Sequence, residues 1–269
     1  MKNLETRPSE ISKRNAPDLS LIVPCYNEAD VIRNTANRLI KAFLDREIVM
    51  ELILVDNGSV DETGAIIDEM IQEGLPIVKV TVPINQGYGN GILQGLQTSH
   101  GRYVGFTCAD GQVESHDVAK TYEIAANARN PILVKVRRRF RMDGWLRKFV
   151  SVIYNFLTVF MFGNLGSIDI NGNPKILPRE YLERMHLQST DWFIDAEVMI
   201  KAKRLKLPVY EINVIAQMRE GGRSNVRGTT IKEFIRNLLV YRFTEAGRMV
   251  DDKGSQTQLF RTGSHKSDS

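Results

Sequence analysis

Short apolar, β-branched runs recur from position 19 to position 136, and a longer stretch with helical spacing separates each from the next. The runs occupy 19–23, 51–55, 76–82, 102–107 and 131–136, and the helical stretches 28–46, 61–73, 88–99 and 115–129. In the first helical stretch Val31, Ile32, Thr35, Leu39, Ile40 and Phe43 recur so that they share one face. Strands that are apolar along their whole length must be covered on both sides. Their alternation with helices predicts an α/β fold, a largely parallel central sheet with helices on both faces. After Val136 the alternation stops. A mixed region runs to about Ala216, with a strand pattern at 208–216, and an amphipathic helix follows from Thr230 to Phe243. Ile231, Phe234, Ile235, Leu238 and Leu239 make one stripe there, the pattern of a helix packed on a core rather than laid on a membrane. Segment 1–17 is polar and expected to be flexible, and the Gly/Ser/Thr/Asp-rich tail 249–269 is expected to be disordered. One domain over 18–248 remains.

The longest apolar stretch, 149–162, has 14 residues and is interrupted by Ser151, Asn155 and Thr158. A spanning helix needs ~18–20, so this stretch reads as a buried core helix or as a segment lying in a membrane interface. The N-terminus lacks the apolar run of a cleaved signal peptide. With 42% hydrophobic and 25% charged residues, the chain is neither a disordered polymer nor an integral membrane bundle. Two cysteines, Cys25 and Cys108, exclude a disulfide scaffold, match no zinc spacing and are expected to be free thiols. The four histidines are scattered and suggest no metal site. The net charge of +4 is local: 135–148 carries seven basic residues and one acid, so the rest of the chain sums to −2.

Ligands of open α/β sheets bind outside the carboxyl ends of the strands. Three predicted strands end there in polar groups: Pro24-Cys25-Tyr26-Asn27-Glu28, Asp56-Asn57-Gly58-Ser59 with Asp61-Glu62-Thr63, and Cys108-Ala109-Asp110-Gly111-Gln112. Each has a plainer reading, since Asn57-Gly58 suits a hairpin turn, Asp61 a helix cap, and Asp110-Gly111 an ordinary turn. Together they converge on one rim of one sheet. No P-loop occurs, and Ile92 stands where the dinucleotide pattern starting at Gly87 needs its third glycine, which disfavours hydride transfer. The glycines at 87–95 suit either close approach of backbone to a ligand or a flexible turn.

These segments, with Val136-Arg137, Trp145-Leu146-Arg147, Asp169-x-Asn171-Gly172-x-Pro174-Lys175, Asp195-Ala196-Glu197 and Arg219-x-x-Gly222-x-Ser224, resemble the inverting family 2 glycosyltransferases of the GT-A fold. Within that family the pattern is similar to the polyprenyl-phosphate sugar transferases, the dolichol-phosphate mannose synthases among them, over about residues 18–243. The resemblance implies a nucleotide-sugar half at 18–136 and an acceptor half at 137–248. It implies donor binding by Pro24, Tyr26, Glu28, Asp56, Gln86, Gly87, Gly89 and Asp110, with Asp56 near the base or ribose. It also implies a Mg²⁺ or Mn²⁺ ion held by Asp110 and Gln112 against the donor diphosphate, in keeping with the oxygen preference of such cations. Cys108 stands where the family commonly has an aspartate. A thiol ligates hard cations poorly, so the site is expected to rest on Asp110 and Gln112. Asn57 and Asn225 replace a customary aspartate and lysine.

The basic run abutting 149–162 has three readings: a solvated loop before a core helix, a nucleic-acid patch, or a membrane surface. The third suits a lipid phosphate, which needs cations for its headgroup and an apolar path for its chain; no nucleic acid is expected. By resemblance Arg137, Arg147, Arg219 and Ser224 hold the acceptor phosphate, and Asp110, Arg137 and Arg147 form the catalytic set. A phosphate oxygen attacks without a general base. A hydroxyl acceptor would need one, and Asp195 and Glu197 are the candidates, although both also suit the first turn of a helix at 195–205. The rival reading is a non-catalytic nucleotide-sugar-binding homologue. The expected partners are a nucleotide-diphosphate sugar, a polyprenyl phosphate and a membrane surface, with room for a membrane-protein partner. The expected location is cytoplasmic, peripheral to the cytoplasmic face of a membrane.

Overall fold

The computed structural model describes residues 16–139, 155–217, 236 and 238–243. The tail 249–269, Arg147, Arg219 and Ser224 lie outside these residues, as does the N-terminal segment expected to be flexible except for Ala16 and Pro17, whose Pro17 carbonyl accepts Arg102 N. Strands and helices alternate as the apolar pattern requires: β1 (Leu19–Cys25), α1 (Ile32–Leu44), β2 (Met50–Asn57), α2 (Thr63–Gln72), β3 (Ile77–Val82), α3 (Tyr88–Gln97), β4 (Tyr103–Phe106), α4 (Ser115–Ala126) and β5 (Leu133–Arg139). A helix at 155–162 (α5) comes next. It is followed by β6 (Lys175–Pro178), α6 (Arg179–Met185), α7 (Ile194–Arg204) and β7 (Val209–Ile215). Residues 238–243 are again helical.

The sheet has seven strands in the order β3-β2-β1-β4-β6-β5-β7. Every neighbouring pair is parallel except those of β6, which runs antiparallel to β4 and to β5. β1 is buried along its whole length. Its Leu19, Leu21, Val23 and Cys25 pack with Ile32 and Phe43 of α1, Ile67 and Met70 of α2, and Val118 and Tyr122 of α4. Ile22, which points the other way, packs with Ile92 of α3 and with α6 and α7 side chains such as Leu182 and Ile194. Both helical layers predicted from the sequence are therefore present. Each fully buried aliphatic or phenyl group there is worth ~1.5–3 kcal/mol, so truncating Ile22 or Phe43 is the simplest way to loosen a layer. α3 lies unusually close to the sheet, because a Cβ at Gly95 would come within 2.5 Å of Ile22 Cγ2.

Two elements differ from the sequence pattern. β6 is a four-residue strand, Lys-Ile-Leu-Pro, too short and too mixed to register as an apolar run, yet it lies between β4 and β5. The C-terminal helical stripe is only partly core. Leu238 is buried, but Leu239 of the same stripe is 44% exposed, and Val240 and Phe243 are exposed as well.

Candidate active site

The carboxyl ends of β1, β2, β4 and β5 reach one rim. Cys25 of β1 lies opposite Asp56 of β2, and Ile22 opposite Phe106 of β4. Lys175 at the start of β6 faces both Phe106 and Lys135, which brings the β5 exit to the same edge.

The β1 and β2 exits are laced together. Glu28 N donates to Thr63 Oγ1 at 2.9 Å, Asn27 N to Ser59 Oγ at 3.2 Å, and Val60 N to Asn27 Oδ1 at 2.9 Å. Asp61 accepts from Thr63 N, Thr63 Oγ1 and Ala29 N, so from one position before the N-cap, Glu62, it takes up the first amide of α2 and ties the helix start to the β1 exit. Partial burial would raise its pKa, and these hydrogen bonds more than offset that and hold it below the usual range. Asp56 is half-buried and accepts Ser59 N at 3.1 Å. Its other oxygen occupies the space beside Gly64, where a Cβ would lie only 2.5 Å away. Pro24, Tyr26, Glu28 and Asp56 thus share one corner.

The glycines that open α3 answer mainly to protein. The missing side chain of Gly87, which has φ +110°, is replaced by the Thr190 carbonyl, and that of Gly89 by the Ser189 and Asp191 carbonyls. Asn57 Nδ2 donates to Gly87 O at 2.9 Å, and Asn90 N to Thr190 O at 2.8 Å. Gln86, beside them, is exposed.

Beyond β4, Asp110 and Gln112 are half-buried, and Asp110 Oδ1 accepts Gln112 N at 3.2 Å. Cys108 lies against Tyr88. Burial first, then the Asp110 charge, pushes its thiol up to about 12, so the group stays neutral. Among the described residues no three His, Cys, Asp or Glu side chains gather as a metal site. One carboxylate and one amide oxygen fit a cation that takes its remaining oxygens from a bound diphosphate.

A buried polar network, which the sequence pattern did not single out, backs this rim. Lys175 is fully buried and donates to Asp195 Oδ1, to Asn173 Oδ1 at 3.1 Å and to Gly172 O at 3.2 Å. Asn173 Nδ2 lies 3.2 Å from the Tyr88 hydroxyl and 3.4 Å from Asp195 Oδ2. Trp192 stacks on Tyr88 with ring centroids 4.4 Å apart and planes 14° from parallel. Burial, then Cys108 and Asp195, raises the Tyr88 pKa well above its usual value. The segments 169–175 and 195–197 that carry the resemblance contain Lys175 and Asp195, but nothing in the sequence paired them or drew in Tyr88 and Trp192.

The two carboxylates considered as bases are both engaged. Asp195 carries the Lys175 ion pair. Glu197 accepts Gln188 N at 3.1 Å, Ser189 N at 2.8 Å and Lys201 Nζ at 2.6 Å, which fixes the loop that fills Gly87 and Gly89.

The basic run also divides. Lys135 is buried and donates to the Val136 and Asp169 carbonyls. Arg138 grips Asp169 through Nε and Nη2, each at 2.9 Å. Burial would raise Asp169, but the guanidinium more than offsets it and holds the carboxyl far below the usual range. Arg137, between them, is half-buried and makes no ion pair among the described residues.

The sequence profile described as "Glycosyl transferase family 2" matches residues 20–185. The chain is 27% identical over 256 residues to undecaprenyl-phosphate 4-deoxy-4-formamido-L-arabinose transferase of Sodalis glossinidius, covering 94% of this chain and 75% of that one. It is 28% identical over 228 residues to dolichyl-phosphate beta-glucosyltransferase of Dictyostelium discoideum, covering 77% and 69%. Glucosyl-3-phosphoglycerate synthase from Mycobacterium tuberculosis, solved with Mn²⁺, UDP and glucosyl-3-phosphoglycerate, shares the fold. Its TM-score is 0.66 at 20% identity, over 84% of this chain and 80% of that one.

Proposed function

The chain belongs to glycosyl transferase family 2 and is a nucleotide-sugar-dependent glycosyltransferase of the GT-A fold, and from that premise we propose that it glycosylates a polyprenyl phosphate. One observation carries the acceptor choice: the two inner carboxylates are neutralised, Asp195 by Lys175 and Glu197 by Lys201 and two backbone amides. A hydroxyl nucleophile needs a free base, whereas a phosphate brings its own anionic oxygen. The similarity to the undecaprenyl-phosphate and dolichyl-phosphate transferases supports the same reading.

In this reading the donor lies along the β1, β2 and β4 exits, against Pro24, Tyr26, Glu28 and Asp56, with Gln86, Gly87 and Gly89 at its flank. Asp110 and Gln112 hold the Mg²⁺ or Mn²⁺ ion. When bound, that cation supplies positive charge to the departing diphosphate. Arg137, with Arg147, Arg219 and Ser224 from outside the described residues, orients the acceptor phosphate. A phosphate oxygen bonds to the anomeric carbon from the side opposite the nucleotide, and the bond to the diphosphate oxygen breaks with its electron pair. No proton moves, and the configuration inverts. Positioning and charge account for the rate.

The same reading supplies a membrane face. No helix among the described residues is long and apolar enough to cross a bilayer. α5 does expose Phe156, Val159 and Phe160, with the two rings 6.4 Å apart, and 238–243 exposes Leu239, Val240 and Phe243 beside the exposed Arg236 and Arg242. Apolar groups edged by cations suit an anionic, cytoplasmic leaflet, on which the protein is peripheral. The test supplies purified protein and Mn²⁺ with labelled UDP- or GDP-sugars and either a polyprenyl phosphate or free sugars. Label should enter the lipid. Label entering only free sugars overturns the proposal.

A further inference from the structure

We propose that Trp192 is the platform on which the sugar of the bound donor rests, so that it governs the grip on a sugar nucleotide and not the grip on the bare nucleoside diphosphate. The inference deepens the proposed function and rests on its placement of the donor diphosphate at Asp110. Trp192 is a large apolar side chain that joins neither core layer of the described residues. It is half-buried, and its one ring contact among the described residues is the stack on Tyr88. Its indole N–H has no partner among them and is not shut away from solvent. A tryptophan that serves a core packs into it and satisfies its N–H there, and Trp192 does neither.

The stack stands beside the reacting end of the donor. The Tyr88 hydroxyl hydrogen-bonds with the side chain of Cys108, two residues before Asp110. The same hydroxyl accepts Asn173 Nδ2 at 3.2 Å, and Asn173 lies against Asp195. Tyr88 and Trp192 therefore sit between the turn that holds the cation and the Lys175–Asp195 pair. A sugar begins where its diphosphate ends, so a side chain this near Asp110 meets the sugar, while the base lies toward Asp56. The support is also rigid. Thr190 O accepts Asn90 N at 2.8 Å and fills the space beside Gly87, and Asp191 Oδ1 accepts Phe193 N at 2.8 Å. Phe193 itself is buried in the core. The chain is fixed on both sides of Trp192 and the ring is held by its stack, so little side-chain freedom remains to be lost when a ligand arrives. The negative face of an indole suits the C–H groups on the face of a pyranose, and its N–H suits a hydroxyl at the rim.

The experiment measures dissociation constants by calorimetry, with Mn²⁺ present, for UDP and UDP-glucose and for GDP and GDP-mannose. Wild type, Trp192→Phe and Trp192→Ala are compared. For the pair that wild type binds, Trp192→Ala should weaken the sugar nucleotide roughly tenfold or more and leave the parent diphosphate within about twofold. Trp192→Phe keeps a stacking face and should recover most of the loss. Because Trp192 is half-buried outside both core layers, the unfolding midpoint of either variant should stay within about 4 °C of wild type. Equal weakening of sugar nucleotide and diphosphate, no weakening of either, or no recovery in Trp192→Phe overturns the platform and leaves the donor site standing. A wild type that binds neither pair overturns the donor reading, and the platform with it.

Discussion

Asp195→Asn separates a structural carboxylate from a catalytic base. Asp195 is 2% exposed and Lys175 0%, and their ion pair lies beside Asn173 and Tyr88. Removing one partner of a buried pair leaves an uncompensated charge, which costs about 3–5 kcal/mol. Burial already pushes the Lys175 ammonium below the usual lysine range, with Asp195 opposing it, so the widowed lysine can shed part of the cost by losing its proton. For a domain of this size each kcal/mol moves the melting midpoint by about 2–4 °C, so a fall on the order of 10 °C is expected at neutral pH. Circular dichroism or dye-based melting reads it. Asp195→Asn combined with Lys175→Met should recover much of the loss, since replacing both charges removes the desolvation penalty as well. Transfer to polyprenyl phosphate, measured well below the midpoint, should stay within about threefold of wild type. An unchanged midpoint with transfer reduced about 10³-fold would mark Asp195 as a base and refute the reasoning.

Gly64→Ala places a methyl where Asp56 Oδ2 now lies, so nucleotide affinity should drop several-fold in calorimetry while the melting midpoint holds or rises, because alanine suits a helix better than glycine. An unaltered affinity would detach Asp56 from the donor. Lys135 is a buried lysine whose pKa burial, helped by Lys175, lowers to about 7. Between that value and the ordinary 10.5 the unfolded chain holds a proton that the folded chain lacks, so stability contributed at this site should rise with pH across that window and level off below it. Denaturant titrations at several pH values should show the stability of wild type rising relative to that of Lys135→Met from pH 7 to 10, and a constant difference would contradict the assignment. Phe156→Ser with Phe160→Ser should weaken co-sedimentation with anionic liposomes while leaving transfer to a detergent-dispersed acceptor intact; undiminished sedimentation would move the membrane face elsewhere.

What the sequence revealed was local, and what it concealed was paired over distance. β1 to β5 and α1 to α4 were legible because strands buried on both sides must be apolar throughout, and Ile22 and Leu21 serve opposite layers without a polar interruption. β6 was hidden by its Lys175, which reads as a surface residue until Asp195, 20 positions on, is brought against it. The basic run gave no means of telling Arg137 from Arg138, because Asp169, which takes Arg138 out of play, is 31 positions away. Gly87 and Gly89 suggested a ligand's approach, yet the groups nearest them are carbonyls of 189–191, held by Glu197. The acidic strand ends were readable because strand polarity alone delivers them to one rim.

The most direct test of an anionic acceptor held beside a cation-bound diphosphate is the behaviour of Arg137→Ala. Arg137 is half-buried at the end of β5, away from the donor corner and without an ion pair among the described residues, so the fold and nucleotide binding should survive its loss. A hydrogen bond to a charged group is worth about 1.5–3 kcal/mol, which sets the scale at tenfold or more. Half-saturation by polyprenyl phosphate should rise by at least about that factor, with Mn²⁺-dependent binding of the nucleotide unchanged. Unaltered acceptor saturation, or a matching loss of nucleotide affinity, would contradict the account.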